Sequence, residues 1–344
     1  MNLQIVNPLN YAEWDDLLLK TPGHSFFHTT AWARSLSESY PYKMTYFTLM
    51  ESDRFLALVP VMDIRSVLTG RRGVSLPFTD YCEPLVADCV KFKEVFDAIV
   101  QYGEQRRWAY FEIRGGENHL SSVVPYTTFL GHALELSQDE GLLTSNLRDS
   151  TRRNIRKAIH SGVDVSIQHS WEAVMQFYYL NCMTRREHGL PPQPLYFFKK
   201  VYDHIISKNA GFVVLASHQG NIIAGGVYFH TGKEAIYKYG ASDRRFQHLR
   251  ANNLVMWEAI KWYGRSGYRC FHFGRTETDH HGLRQFKVGW GAKEYPIKYY
   301  RYHLKTGDFL KYKGKTDSLS NRIMRKMPLS LLRLVGSILY KHMG

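Results

Sequence analysis

The sequence predicts an α/β (α+β) fold built twice, two domains in tandem with mixed sheets flanked by helices. Three observations predict it. The segment Phe96-Asp97-Ala98-Ile99-Val100-Gln101-Tyr102-Gly103 aligns with Trp257-Glu258-Ala259-Ile260-Lys261-Trp262-Tyr263-Gly264, 161 residues further on. Each copy leads into a short apolar strand, 109–113 and 269–273, and follows a hairpin pattern. The length, 344 residues, suits two cores better than one.

In chain order, apolar spacing predicts helices over 11–20 and 30–38, then strands over 44–50 and 55–64 around the turn Glu51-Ser52-Asp53-Arg54. The first copy of the repeat and its strand close this half. A joining helix over 147–159 has Ser145 and Asn146 as capping options. Helices over 171–188 and 195–208 are separated by Gly189-Leu190-Pro191-Pro192, which no helix runs through. Strands over 212–217 and 222–229 flank His218-Gln219-Gly220-Asn221, and the second copy of the repeat follows. Each half thus reads strand, helix, helix, hairpin, helix, strand. The expected domains are 1–146 and 147–304, the second opening on a basic helix, with a basic, partly amphipathic tail over 305–344.

Composition narrows the function classes. Apolar residues make up 44% of the chain and the formal charge is +14, which excludes an acidic or disordered tail protein. The longest apolar stretch, over 329–340, is broken by Arg333 and Gly336 and is too short to span a bilayer. The amino-terminal residues carry acids where an export signal needs a basic start, so a cytoplasmic location is expected. Cys82, Cys89, Cys182 and Cys270 stand singly, which predicts free thiols. His280-His281 has no second ligand pair at metal spacing, so no metal is expected. Nine Lys or Arg face two Asp over 305–344, so half the net charge lies there, with Leu331, Leu334, Val335, Ile338 and Leu339 at helical spacing. This tail either docks on anionic phosphates, of lipid headgroups at the inner face of the membrane or of RNA, or packs back on the protein.

Four stretches resemble the Fem family of peptidoglycan-bridge aminoacyltransferases and related tandem-GNAT acyltransferases. They are Leu76-Pro77-Phe78-Thr79-Asp80-Tyr81; the run from Leu147 through Arg152-Arg153-Asn154-Ile155-Arg156-Lys157 to Ala158; Tyr237-Lys238-Tyr239-Gly240-Ala241-Ser242; and Phe273-Gly274-Arg275 with Gly282-Leu283, Phe286-Lys287 and Gly289-Trp290-Gly291. The resemblance covers nearly the whole chain and implies two GNAT-like domains.

Amide formation needs an activated acyl carbon, a deprotonated amine and a group that holds the developing oxyanion. Asp80 lies in a Pro-flanked loop and either takes a proton from, or orients, an attacking ammonium or only caps a turn. The resemblance sets it near an acidic residue at the acceptor amine. Lys287 is suited to a phosphate or a carbonyl oxyanion, and the resemblance assigns the Phe286-Lys287 pair to the acyl-transfer site. Tyr237 and Tyr239 alternate in a strand and are expected on one face, lining a substrate cleft or half-buried in the core. Arg185 either grips a pyrophosphate or complements a helix carboxyl end. Arg34 stands near where the family uses a lysine, and Arg275 lies in the fourth stretch as a substrate contact. Arg152, Arg153, Arg156 and Lys157 form a basic helix suited to phosphates, those of tRNA included, or simply solvated.

The donor is read from an absence. GNAT enzymes cradle the coenzyme A pyrophosphate on a glycine-containing loop that opens a helix. Here Arg244-Arg245-Phe246-Gln247-His248-Leu249-Arg250-Ala251-Asn252-Asn253 holds no glycine. This favours aminoacyl-tRNA, the Fem donor, over acyl-CoA, with no tightly bound cofactor. The first reading is therefore a Fem-like transferase forming an amide on an amine of a nucleotide- or lipid-linked envelope precursor. The alternatives are a GNAT-type N-acyltransferase using acyl-CoA on an amino sugar in exopolysaccharide or envelope glycan synthesis, and a non-catalytic module docking on membrane or RNA.

Overall fold

The computed structural model describes residues 3–51, 54–312 and 319–344. Ser52 and Asp53 of the expected first turn, and Lys313, Lys315 and Asp317 of the tail, lie outside the described residues. The chain divides into two compact units: Met1–Phe129 with Pro296–Lys315 and Leu339–Gly344, and Leu130–Tyr295 with Thr316–Ile338.

The first unit runs β1 (Gln4–Val6), α1 (Trp14–Leu19), α2 (Thr30–Ser39), β2 (Lys43–Met44), β3 (Tyr46–Glu51), β4 (Arg54–Val59), β5 (Met62–Ser66), β6 (Gly70–Val74), β7 (Leu85–Val86), α3 (Cys89–Gln105) and β8 (Tyr110–Arg114). Strand β9 (Thr127–Glu135) follows and holds the first boundary between the units. The second unit continues with α4 (Glu140–Ser145), α5 (Asp149–His160), β10 (Asp164–Gln168), α6 (Trp171–Glu187), α7 (Leu195–His204), β11 (Gly211–His218), β12 (Asn221–Thr231), β13 (Glu234–Ser242), α8 (Ala251–Arg265), β14 (Cys270–His272), β15 (Thr276–Glu277) and α9 (His281–Val288). Strand β16 (Lys293–His303) holds the next boundary, and β17 (Asp308–Phe309), α10 (Leu319–Lys326) and α11 (Leu329–Leu339) end the chain.

Each unit contains the same supersecondary core. In the first, β6 and β8 pair in parallel with α3 between them in sequence; in the second, β13 and β14 pair in parallel with α8 between them. A parallel pair needs a crossover, and the repeated helix supplies it in both copies. Antiparallel pairs extend the sheets, the hairpins β3–β4 and β5–β6 in one unit and β11–β12–β13 in the other, where β10 adds antiparallel to β11 across α6 and α7. Each unit also has its own apolar core, with Phe47, Val95, Ile99, Trp108 and Phe111 in the first and Phe212, Tyr228, Trp257, Tyr263 and Phe271 in the second. The repeated glycine has a packing reason. A Cβ on Gly103 would come within 2.6 Å of Leu304, and one on Gly264 within 2.5 Å of the Ser137 carbonyl, so the last helical turn is pressed against its neighbour in both copies.

The expected order of elements is found in both units, with several differences. The strand expected over 55–64 is two strands in two sheets, because Pro60 has no N–H to continue the ladder and β4 stops at Val59. The hairpin β5–β6 went unseen because its residues, Met62-Asp63-Ile64-Arg65-Ser66 and Gly70-Arg71-Arg72-Gly73-Val74, do not alternate cleanly. Ser145 and Asn146 end α4 instead of capping the next helix; α5 starts at Asp149 with Arg148 before it and no side-chain cap. The compact units also divide elsewhere than at 146/147 and 304/305. Residues 130–146 belong with the second core, and 296–304 bring Tyr300 and Leu304 into the first.

From Leu319 on the tail is mainly helical, turned differently from the expected stripe. Leu332 and Gly336 are the buried residues of α11, and a Cβ on Gly336 would sit 2.2 Å from the Pro192 carbonyl, so the helix lies hard against the connection between α6 and α7. Leu331, Leu334 and Ile338 instead face solvent at 46%, 55% and 49% exposure. No helix among the described residues is long and apolar enough to cross a membrane.

Candidate active site

The second unit holds a cavity of about 590 Å³ lined in part by Arg148, Asn154, Tyr237, Arg250, Asn252 and Phe286, within the range of small-molecule sites. Its walls include the first turns of three helices. Ser150 and Thr151 open α5, Ala251 to Asn253 open α8, and Gly282 and Leu283 lie in the first turn of α9. Backbone N–H groups at helix starts have no intrahelical acceptor and carry partial positive charge. With the Arg148 and Arg250 guanidinium groups added, the cavity is suited to an anion. Asp243, the one lining carboxylate among the described residues, is already engaged: Arg245 donates to both of its oxygens and holds the carboxyl below the usual carboxylate range.

The start of α8 explains how a cradle forms without glycine. Residues Arg244–Leu249 form a 3-10 turn, and Arg250 then takes the left-handed conformation, φ +61°. No side chain caps the helix, so its mouth stays open to the cavity. The glycine-free stretch 244–253 therefore builds a cavity after all, and the lack of glycine carries less weight about the donor than the sequence reading gave it.

Tyr237 and Tyr239 do not share a face. The β12–β13 register pairs Val227 with Tyr239 and Tyr228 with Tyr237, leaving Lys238 as the extra residue of a bulge. The bulge sends the two rings to opposite sides. Tyr237 lies 5.3 Å from Tyr228 and lines the cavity, where burial pushes its hydroxyl up to about 12. Tyr239 packs 5.5 Å from Phe198 of α7.

Phe286 and Lys287 also part company. Both lie on α9, so adjacent side chains diverge by about 100°. Phe286 lines the cavity and packs against Trp290. Lys287 is 2% exposed, and its Nζ donates to the carbonyl oxygens of Gly274 and Arg275 at 3.0 and 3.1 Å. Close by, the His132 imidazole is buried, bonded to Glu294 at 3.1 Å, and held below its ordinary pKa by burial and then by the Lys287 charge.

The remaining candidates in this unit have other surroundings. Arg185 donates to the Pro191 carbonyl at the carboxyl end of α6, an anchor for the loop that follows. Arg152 reaches back to the Leu147 carbonyl and Asp149, while Arg153, Arg156 and Lys157 project from α5 into solvent. Arg275 is exposed, its carbonyl taken by Lys287.

In the first unit, Asp80 sits in a loop with two non-glycine residues at positive φ, Leu76 at +53° and Phe78 at +60°. Such backbone costs about 1–3 kcal/mol per residue and persists only where its surroundings enforce it. They do so here. Arg114 donates to the Leu76 carbonyl at 3.1 Å, Thr79 Oγ1 donates to the same carbonyl, and Tyr299 Oη donates to the Asp80 carbonyl at 2.7 Å. Arg114 is steadied by Glu112, whose carboxyl burial would raise but which Arg114 and Arg301 hold below its ordinary pKa. Arg34 lies on α2 with Glu38 at 4.0 Å.

Sequence reasoning passed over Arg148, Asn154, Phe246, Arg250 and Asn252 as site residues. The signal available was their position, just before or within the first turns of predicted helices.

A family model described as an acetyltransferase (GNAT) domain matches residues 145–295. The lipid II:glycine glycyltransferase of Staphylococcus haemolyticus (strain JCSC1435) is 28% identical over 100 residues, 27% of this chain and 24% of that protein. The matched stretch is thus about a quarter of that relative. Among solved structures, FemX aligns with TM-score 0.71 at 12% identity, covering 89% of this chain and 98% of its own. A tandem GNAT protein from the clavulanic acid biosynthesis pathway aligns with TM-score 0.58 at 10% identity, covering 92% and 100%. The fold is that of two GNAT-like domains in tandem, and the resemblance to the Fem family read from the sequence is borne out.

Proposed function

We propose that this tandem GNAT protein is a Fem-type aminoacyltransferase that forms an amide on an amine of a lipid-linked envelope precursor. The observation that carries the reading is the cavity of the second unit, where the starts of α5 and α8, neither with a side-chain cap, and Arg148 and Arg250 suit a donor phosphate, the start of α9 being capped by His280. Arg153, Arg156 and Lys157 extend basic surface along α5 from the residues of that helix that line the cavity. Such a track fits a polynucleotide donor, aminoacyl-tRNA, better than a compact one.

The precursor amine attacks the ester carbonyl of the charged donor, the ammonium proton leaves, and the terminal hydroxyl of the tRNA departs with a proton. Asp80 serves the amine, the role the resemblance implies. The resemblance gives Lys287 the acyl carbonyl, but its buried Nζ donates to the Gly274 and Arg275 carbonyls, so Lys287 acts as a positioning residue for that segment. The rigid 76–80 loop suits the first role, since general base catalysis needs a fixed carboxylate. The lipid-linked acceptor agrees with the tail: Leu331, Leu334 and Ile338 are exposed on α11, and Arg322, Arg325 and Lys326 on α10, the composition of a helix pair resting on anionic headgroups.

The second reading, an acyl-CoA-dependent N-acyltransferase acting on an amino sugar, is favoured by one observation. The cavity lies at the start of the crossover helix between parallel strands, where GNAT enzymes hold pyrophosphate.

Incubation with muropeptide precursor and either charged tRNA or acetyl-CoA separates the two by product mass. Gain of one aminoacyl residue with charged tRNA alone supports the first reading; gain with acetyl-CoA alone overturns it. Lys287→Met is expected to lower kcat about 10-fold with precursor affinity nearly unchanged, and to lower the melting midpoint because the Gly274 and Arg275 carbonyls lose their donor. Unaltered turnover in that variant removes Lys287 from the reaction.

A further inference from the structure

The parallel register of β13 and β14 sets Glu234 beside Cys270 and Ile236 beside His272. Alternation along β14 puts Cys270 and His272 on one face and the fully buried Phe271 on the other. Three chemically different ligands therefore meet. His272 Nε2 lies 2.7 Å from Glu234 Oε2 and 3.5 Å from Cys270 Sγ, and the three ligand atoms all fall within 4.8 Å of one another.

We propose that Glu234, Cys270 and His272 form a binding site for a divalent transition-metal ion, zinc by ligand preference. A thiol, an imidazole and a carboxylate also make up a nucleophile relay, but a relay needs the thiol and the carboxylate on opposite ring nitrogens. Here both face Nε2, and Nδ1 stands 3.3 Å from the Tyr295 hydroxyl instead. Convergence on one ring nitrogen is the geometry of coordination, and a partner on the other nitrogen is what orients a ligating histidine.

The distances agree. A tetrahedral zinc ion with ordinary Zn–S and Zn–N bonds separates sulfur from nitrogen by about 3.5 Å, and nitrogen from carboxylate oxygen by about 3.4 Å. The first is already met. The second requires the half-exposed Glu234 side chain to retreat by about 0.7 Å, which rotation about its terminal torsions supplies. A mixed S, N, O set suits zinc over calcium or magnesium, which take oxygen.

The site lies at the first residue of β13, while the cavity meets the strand at Tyr237 and Ser242, about 10 and 26 Å further along, with Tyr237 on the opposite face from Glu234. It is independent of the proposed transferase function. Three protein ligands leave one position for water or another ligand, and the ion would tie together two strands whose pairing is only three residues long. Sequence spacing hid the site, since Glu234 stands 36 residues before Cys270.

The test is titration of the chelator-treated full chain with Co²⁺. One equivalent is expected to give a near-ultraviolet thiolate-to-cobalt charge-transfer band, erased by added Zn²⁺. Cys270→Ser should abolish the band, Glu234→Gln should weaken Co²⁺ binding about 10–100-fold, and Cys89→Ser, at an exposed thiol elsewhere, should leave it intact. A wild-type protein without the band at one equivalent, or a band that survives Cys270→Ser, overturns the proposal. The wild-type titration decides even where a variant does not fold.

Discussion

The two copies of the repeated helix begin differently. Asp88, with extended backbone, precedes α3, and its carboxylate accepts a hydrogen bond from the Lys91 N–H at 2.7 Å. Arg250, with left-handed backbone, precedes α8, which has no side-chain cap and opens into the cavity. Both helices cross between parallel strands and both end on a glycine pressed against its neighbour. The difference lies in who satisfies the first N–H groups. In the first copy the chain does so itself, and the helix start belongs to the fold. In the second the Asn253 N–H bonds the Arg250 carbonyl, no side chain caps the turn, and the helix start faces the cavity instead. Changes to the closed unit should therefore register as stability, and changes to the open mouth as turnover.

The largest expected effect concerns the closed unit. His28 is buried, its Nε2 2.9 Å from the Glu83 carbonyl and its Nδ1 accepting from the Ser25 N–H at 3.1 Å. Burial holds its pKa down to about 4. As pH falls below about 6.5 the unfolded chain takes up this proton and the folded chain does not, so stability is present above 6.5 and is lost down to 4, by about 3 kcal/mol in full. Urea melts at several pH values should show this slope, and His28→Asn should flatten it. An equal slope in the variant would assign the loss to other groups.

Next comes the open mouth. Arg250→Asp gives α8 the kind of carboxylate that closes α3, and Asp tolerates the left-handed conformation. Turnover should fall roughly 10²-fold in kcat/KM, about 2–3 kcal/mol, with the melting midpoint unchanged. Retained turnover would mean that the cavity does not hold the donor. The smallest effect is the converse substitution. Asp88→Ala should cost about 1 kcal/mol of stability and leave kcat/KM as it was; a matching loss of activity would break the contrast between the two helix starts.

Element order was legible because it rests on local signals. Asp88 before α3, the proline break after α6 and the turn Gln219-Gly220 between β11 and β12 all act within a few residues. The α3–β8 pair was legible only through its copy, and β6, which completes that core, was not. What escaped depends on contacts far apart in sequence. The cavity draws its walls from helices beginning at 149, 251 and 281, and nothing in any one segment marks their convergence. Lys287 reads as a surface charge until the 274–275 carbonyls meet it. The positive φ of Leu76, Phe78 and Arg250 is enforced by surroundings on residues that do not prefer it. Asp80 was found through its motif, and the strained loop that fixes it was not.

The bulge at Lys238 has a consequence for how the site can vary. Without it, rings two positions apart on β13 would share one environment, and a change at either would disturb both. The extra residue separates them, Tyr237 to the cavity and Tyr239 to the packing of α7. Selection can then retune the pocket at position 237 while position 239 goes on seating the helix, so a single inserted residue gives the strand two independently evolvable faces.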